Sequence, residues 1–140
     1  MFRSVISVIS GLAAWTVLWL SGNAALAAAM PEQFRADGTS DSLGILAMIL
    51  ALSLICSLIG GYTTAMFAKR DPMKHVWALA VLQLIIGILV QIQYLDVIPM
   101  AYHLAFLSLL IPGILAGGRL QVTRVARIGL VGEASTLDQS

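Results

Sequence analysis

Charge is scarce in this sequence. Lysine, arginine, aspartate and glutamate make up 11% of its 140 residues, whereas 59% of the residues are hydrophobic. An ordinary soluble domain carries about 25% charged residues. The chain therefore has too little polar surface for a soluble globular domain, and its composition indicates a protein of the membrane.

Cysteine and histidine are also rare, which excludes several kinds of chemistry. Cys56 is the only cysteine, and a membrane thiol oxidoreductase needs at least a pair. His75 stands just before the third apolar run, and His103 lies near the start of the fourth, which runs in the opposite direction. About the thickness of a bilayer would separate the two side chains, so they cannot bind one haem or metal ion together. No nucleophile, base and orienting group converge. The sequence predicts neither an enzyme nor a bound cofactor.

Charge is missing entirely from four long apolar runs, which cover residues 4–29, 42–68, 76–95 and 100–118. About 20 apolar residues in a helix cross a bilayer, and runs of this kind without alternation form helices in lipid. The sequence predicts an all-α polytopic protein with four transmembrane helices. Residues 1–127 would form this domain, with a short basic juxtamembrane segment at 119–127, and residues 128–140 a flexible polar tail.

Basic residues are concentrated on one side of the predicted bundle. Of the eight lysines and arginines, only Arg35 lies in a loop on the other side. Cytoplasmic loops carry an excess of lysine and arginine, so both termini are predicted to be cytoplasmic, and Pro72 is expected to help end the second helix. The residues that anchor this topology are Lys69, Arg70, Lys74, Arg119, Arg124 and Arg127.

The first apolar run could be a cleaved signal peptide instead of a transmembrane helix. Arg3, the apolar core at 5–20 and the small residues Ala25 and Ala27 also fit a secretory signal peptide. Cleavage would leave three spans and would not change the orientation of the rest.

Small residues recur at four-residue spacing on two predicted helices. Such faces allow helix backbones to approach closely in lipid. We interpret them as packing faces within the chain, with a dimer interface as the alternative, and we expect Pro112 to kink the fourth helix. The candidate packing residues are Ser53, Ser57, Gly61 and Ala65 on the second helix and Gly113 and Gly117 on the fourth.

The third predicted helix has a polar face formed by Gln83, Gln91 and Tyr94. An amide facing lipid is costly, so this face should point into the bundle or at a partner. In one interpretation the two glutamines bond to serines or a threonine of the second helix. In the other, the face lines a polar path or a ligand cavity together with Asn23 of the first helix.

Two tryptophans, Trp15 and Trp19, lie near the middle of the first predicted helix. Indoles at that depth usually pack between helices, and contact with a lipid or hydrophobic cofactor is the alternative. Small multidrug transporters share this length and layout but depend on a carboxylate in their first helix. The most polar side chain of the first helix here is Asn23, which argues against proton-coupled drug export.

The segment GGYTTAMFAKRDPMKHVWALAVLQ, followed by a proline in the last helix and then by GGRL, resembles small uncharacterised four-helix inner-membrane proteins of bacteria. The resemblance covers most of the chain from the second helix onward. It implies a location in the bacterial inner membrane and implies no activity.

The leading functional hypothesis from sequence is a small non-catalytic membrane subunit that packs against a larger complex. Its partners would be the lipid bilayer and either other membrane proteins or copies of itself, and no nucleic acid. The alternatives are a small oligomeric transporter or channel component, and a protein that binds a lipid or hydrophobic cofactor inside its bundle.

Overall fold

Helices account for most of the residues that the structure describes. The computed structural model describes residues 2–137, with side chains for residues 4–130. Short 3-10 helices occupy Pro31–Gln33 and Ile92–Tyr94. No strand occurs within residues 2–137, and the all-α prediction is confirmed. The four α-helices are α1 Phe2–Ala29, α2 Leu43–Phe67, α3 Pro72–Gln91 and α4 Met100–Leu137.

All four helices are long and apolar enough to cross a membrane. The qualifying stretches are Ser4–Ala29, Leu43–Phe67, Pro72–Tyr94 and Met100–Leu130. Large apolar side chains are exposed on every helix, for example Val17, Ile55, Leu89 and Leu104. Such an outer surface suits contact with lipid tails, because apolar side chains need no hydrogen-bond partner there. The prediction of four helices long and apolar enough to span a membrane is therefore confirmed.

The turn between α2 and α3 is tight because a proline opens α3. Pro72 stands in the first turn of that helix, ahead of the predicted start at residue 76, where its missing N–H costs nothing. Asp71 before it has a left-handed φ of 47°. Its carboxylate accepts a hydrogen bond from Lys74 Nζ at 2.9 Å, and this bond lowers the pKa of the Asp71 carboxyl.

The fourth helix is longer than its apolar part. α4 continues through Pro112 and past Gly118 to Leu137, so the basic segment 119–127 and most of the predicted tail are helical. Arginine, leucine and alanine favour helix in that stretch. The bilayer thickness sets only the length of the apolar part of a helix, and it does not set where the helix ends. Residues 138–140 of the predicted tail lie outside the described part of the chain.

Helix α2 lies at the centre of the bundle, between α1 and α4, and α3 packs mainly against α4. We call the end with the α2–α3 turn the basic end, and the end with the loops at 30–42 and 95–99 the loop end. The core is apolar and close to fully buried; it includes Trp15, Leu46, Cys56, Val76, Leu79, Tyr102, Phe106, Leu110 and Ile114.

Helices α2 and α4 touch backbone to backbone. A Cβ added at Gly61 would lie 1.9 Å from the carbonyl oxygen of Ile114, and one added at Gly117 would lie 1.9 Å from that of Leu58. A Cβ at Gly113 would meet the Ser57 Cβ at 2.9 Å. The two predicted packing faces therefore meet each other inside one chain. Ser53 and Ala65, the other predicted members, are buried on α2.

Helix α1 joins the bundle most closely towards the basic end. A Cβ at Gly11 would lie 2.6 Å from the carbonyl oxygen of Gly60 and 3.1 Å from Leu79 of α3. One turn further along, Trp15 Nε1 donates a hydrogen bond to Ser57 Oγ at 3.2 Å. The basic half of the bundle is therefore closed by contact between α1, α2 and α3.

Candidate functional site

The loop-end half of the bundle contains a cavity of about 500 Å³ between α1, α3 and α4. Its deep end lies at Leu12 and Leu110, and its outer end at a loop segment of residues 37–40, which we call the lid. Along α3 the lining runs from Gln83 to Tyr94. At 1.5 Å per residue this makes the cavity about 16 Å long, roughly half the thickness of the hydrocarbon layer.

One wall of the cavity is aromatic. Trp15 and Trp19 stack on α1 with ring centroids 5.2 Å apart. Trp19 meets Phe106 of α4 edge-on at 5.6 Å, and Phe106 stacks on Tyr102 at 6.1 Å. All four side chains line the cavity, and we call them the aromatic row. They offer a broad apolar surface of the kind that dominates small-molecule sites.

The opposite wall contains a buried amide. Gln83 is 2% exposed and lines the cavity. Its Oε1 atom has no hydrogen-bond partner within the described part of the chain. The predicted bonds from the glutamines to serines or a threonine of α2 are not formed there: Ser57 accepts from Trp15 instead, and Thr63 bonds to the Ile59 carbonyl of its own helix.

Gln91 is paired with a histidine. Its Oε1 atom lies 2.5 Å from Nδ1 of His103, and Nε2 of that ring lies 3.2 Å from the carbonyl oxygen of Ile98. His103 is 3% exposed, so both ring nitrogens find polar partners inside the bundle. This pair connects α3 with α4 at the loop end and fixes the Gln91 side chain beside the cavity.

The other predicted polar residues also reach this cavity. Asn23 lines it from α1, and its Nδ2 donates to the Trp19 carbonyl oxygen at 2.8 Å. Tyr94 lines it from the 3-10 helix and is 38% exposed. The structure thus places all four residues of the predicted polar set, Asn23, Gln83, Gln91 and Tyr94, around one space.

The lid is held by short polar contacts. Asp37 accepts hydrogen bonds from the backbone N–H and the hydroxyl of Thr39, at 2.9 and 2.7 Å. These bonds lower the pKa of the Asp37 carboxyl. An ion pair between Arg35 and Asp41 at 2.8 Å closes the base of the loop, and Gly38 supplies its left-handed residue with a φ of 79°. Thr39 and Ser40 are buried as a result.

The cavity opens sideways between α1 and α3. Thr16 and Leu20 on α1, and Val90 and Tyr94 on the opposite side, line the cavity and are also exposed on the outer surface. A close contact between α1 and α3 lies near Gly11, towards the basic end. The opening therefore lies on the apolar side of the bundle, and the lid covers the loop end.

The predicted topology anchors lie away from the cavity, at the basic end. Lys74 pairs with Asp71, and Arg124 Nη1 donates to the Tyr62 hydroxyl at 2.7 Å. All six anchors, Lys69, Arg70, Lys74, Arg119, Arg124 and Arg127, are exposed. Among the described residues, no three histidines, cysteines, aspartates or glutamates gather as metal ligands would.

Sequence reasoning missed the α4 side of the site. Tyr102 is 8% exposed and stacks in the aromatic row. A signal was available, since Tyr102, Phe106 and Leu110 recur every four residues and so share a helix face. Only the packing of α4 against α3 shows that this face borders a cavity.

No protein-family model matches the chain, and neither a curated protein nor a solved structure is significantly similar to it.

Proposed function

We propose that this protein is a non-catalytic membrane protein that binds a neutral hydrophobic molecule inside its helical bundle. The observation that supports this most is the cavity of about 500 Å³ with the aromatic row on one wall and a sideways opening between α1 and α3. Sites for small molecules are typically about 300–1,000 Å³ and mostly apolar, with a few placed polar groups.

The charge of the lining favours a neutral ligand. Asp37 in the lid is the only aspartate, glutamate, lysine or arginine among the lining residues that the structure describes. A buried ion without a partner is costly to hold. The groups that face the deeper cavity are amides, rings and aliphatic chains, so an apolar or weakly polar molecule fits them best.

The closed basic half favours binding over conduction. Contact between α1 and α2 around Gly11 and Gly60 leaves no room for a side chain, so the cavity ends near the middle of the bundle. A transport path lined by the same amides would need this contact to separate. The transporter and accessory-subunit hypotheses therefore stay predictions from the sequence.

We further propose that the bundle spans the bacterial inner membrane with its basic end in the cytoplasm. The support is the excess of lysine and arginine at that end. Lys74 and Gln33 are exposed at opposite ends, and Cys56 is fully buried. In a Cys56→Ser background, an impermeant maleimide applied to intact cells should label Gln33→Cys and spare Lys74→Cys. Labelling of Lys74→Cys alone would reverse the orientation.

The binding proposal is tested by blocking the opening. Thr16 lines the cavity and is exposed at its rim, whereas the adjacent Val17 is exposed and lies outside the lining. Native mass spectrometry of protein purified in mild detergent should show a bound molecule for wild type and for Val17→Phe. Thr16→Phe should remove most of it, because a phenyl ring at the rim obstructs entry. Equal ligand retention by both variants would contradict the proposal.

A further inference from the structure

One residue of the cavity lining has a polar atom without a hydrogen-bond partner. Among the buried side-chain oxygens and nitrogens that lack a partner in the described part of the chain, only Gln83 Oε1 belongs to a residue of the cavity lining. The side chain is 2% exposed and lies near the deep end, beside Trp15 and Leu110.

No group in the described part of the chain donates to this oxygen. The indole N–H of Trp15 is already donated to Ser57, and Leu12 and Leu110, which also line the cavity, are aliphatic. The Tyr94 end of the lining lies about 16 Å away along the helix axis. A buried acceptor without a donor is costly, and a donor that reaches it restores most of that loss.

We propose that the molecule bound in this cavity carries a hydrogen-bond donor, a hydroxyl or an N–H, on an apolar ring. Gln83 Oε1 is itself buried, so the amide turns towards the cavity and accepts a hydrogen bond from this donor at the deep end. The ring of the ligand lies against the aromatic row. This inference rests on the proposed binding function and adds the class of ligand: apolar alcohols, phenols and ring N–H compounds, as opposed to ethers and hydrocarbons of the same shape.

The geometry of the cavity sets how such a ligand lies. The aromatic row faces the α3 wall along the length of the cavity. A ring that stacks on this row points one edge at Gln83 and the opposite edge at the lid or at the opening beside Val90. The donor therefore enters first, and any apolar chain attached to the far edge extends towards lipid between α1 and α3.

The experiment uses a matched pair of probes, para-bromophenol and para-bromoanisole, which differ in whether the oxygen can donate. Bromine quenches tryptophan fluorescence on contact. Trp77 is half exposed near the basic end, so a Trp77→Phe background leaves the signal to Trp15 and Trp19 in the cavity. The full-length protein is titrated in nanodiscs, with free probe corrected for partition into empty nanodiscs.

The phenol should bind about fivefold more tightly than the ether, the size of effect that one hydrogen bond to a buried acceptor supplies. In Gln83→Leu this ratio should fall to about one, with binding of the ether retained. Gln93 is exposed and donates to the carbonyl oxygen of Leu89, so Gln93→Leu is the matched control and should keep the ratio. With Gln83 intact, the comparison of the two probes requires only that the Trp77→Phe protein folds.

The outcomes separate the two proposals. Equal binding of the two probes to the protein with Gln83 intact, or a ratio that survives Gln83→Leu, would overturn the donor assignment and leave the cavity as an apolar site. Quenching by neither probe beyond the level in Thr16→Phe would overturn the binding function and this inference with it.

Discussion

The contact between α2 and α4 predicts that Gly117→Ala separates these helices. The Cβ of the alanine would lie 1.9 Å from the Leu58 carbonyl oxygen, whereas ordinary van der Waals contact begins at 3.4 Å. The two backbones must therefore move apart by about 1.5 Å. Because the obstructing atom belongs to the backbone, no side-chain rotation relieves the overlap.

The size of the effect follows from overpacking. Forcing extra atoms into a packed interior costs about 1–3 kcal/mol, which corresponds to a fall of about 3–10 °C in the midpoint of thermal unfolding. The assay is circular dichroism at the helical band in one detergent. Gly61→Ala should give a similar loss, since its Cβ would lie as close to the Ile114 carbonyl oxygen.

A matched control separates packing from backbone propensity. Gly129 lies on α4 with nothing within 4 Å of its would-be Cβ, and an alanine there favours helix. Gly129→Ala should leave the midpoint unchanged or raise it slightly. If Gly117→Ala and Gly61→Ala both unfold at the wild-type temperature, α2 and α4 do not touch as described.

Three further outcomes are expected. Trp15→Phe removes the donor to Ser57 and should cost about 1 kcal/mol in thermal unfolding; an unchanged midpoint would mean that this bond is absent. Gln91→Leu leaves a buried nitrogen of His103 unpaired and should cost about 1–3 kcal/mol, much of which the double substitution with His103→Leu should restore; purely additive losses would contradict the pairing. The pKa of Asp37 is lowered in the folded state, so its contribution is present above the ordinary aspartate value of 3.8 and is lost as the pH falls through the folded value. After correction for the pH dependence of intrinsic amide exchange, the protection of the lid amides should fall on acidification, whereas in Asp37→Asn it should stay the same.

The four long apolar helices could be predicted from sequence because lipid would impose a simple requirement. A charge-free run of sufficient length has few alternatives to a helix, and this applied to all four. Helix ends were less predictable. Pro72 opens α3 where the start was expected at residue 76, and α4 continues to Leu137, because outside lipid a helix needs only suitable residues and no apolar run.

The cavity was only half predictable. The polar residues Gln83 and Gln91 stood out because amides are rare and costly in apolar helices. Their partners did not stand out: Gln91 bonds to His103 of α4, and Gln83 Oε1 has no partner in the described part of the chain. Which faces meet depends on how Gly11, Gly61 and Gly117 let the helices approach, and a single sequence does not specify that arrangement.

The length of α4 has a mechanical consequence. Its 38 residues form a rod of about 57 Å, against about 30 Å for a bilayer interior. The rod that presents Phe106 to the cavity also bears Arg124 and Arg127, and no loop interrupts it between them. A force applied to the protruding arm therefore reaches the ring of Phe106 along this one helix, by way of Pro112, where one backbone hydrogen bond is missing. A displacement of that ring is transmitted to the arm by the same route.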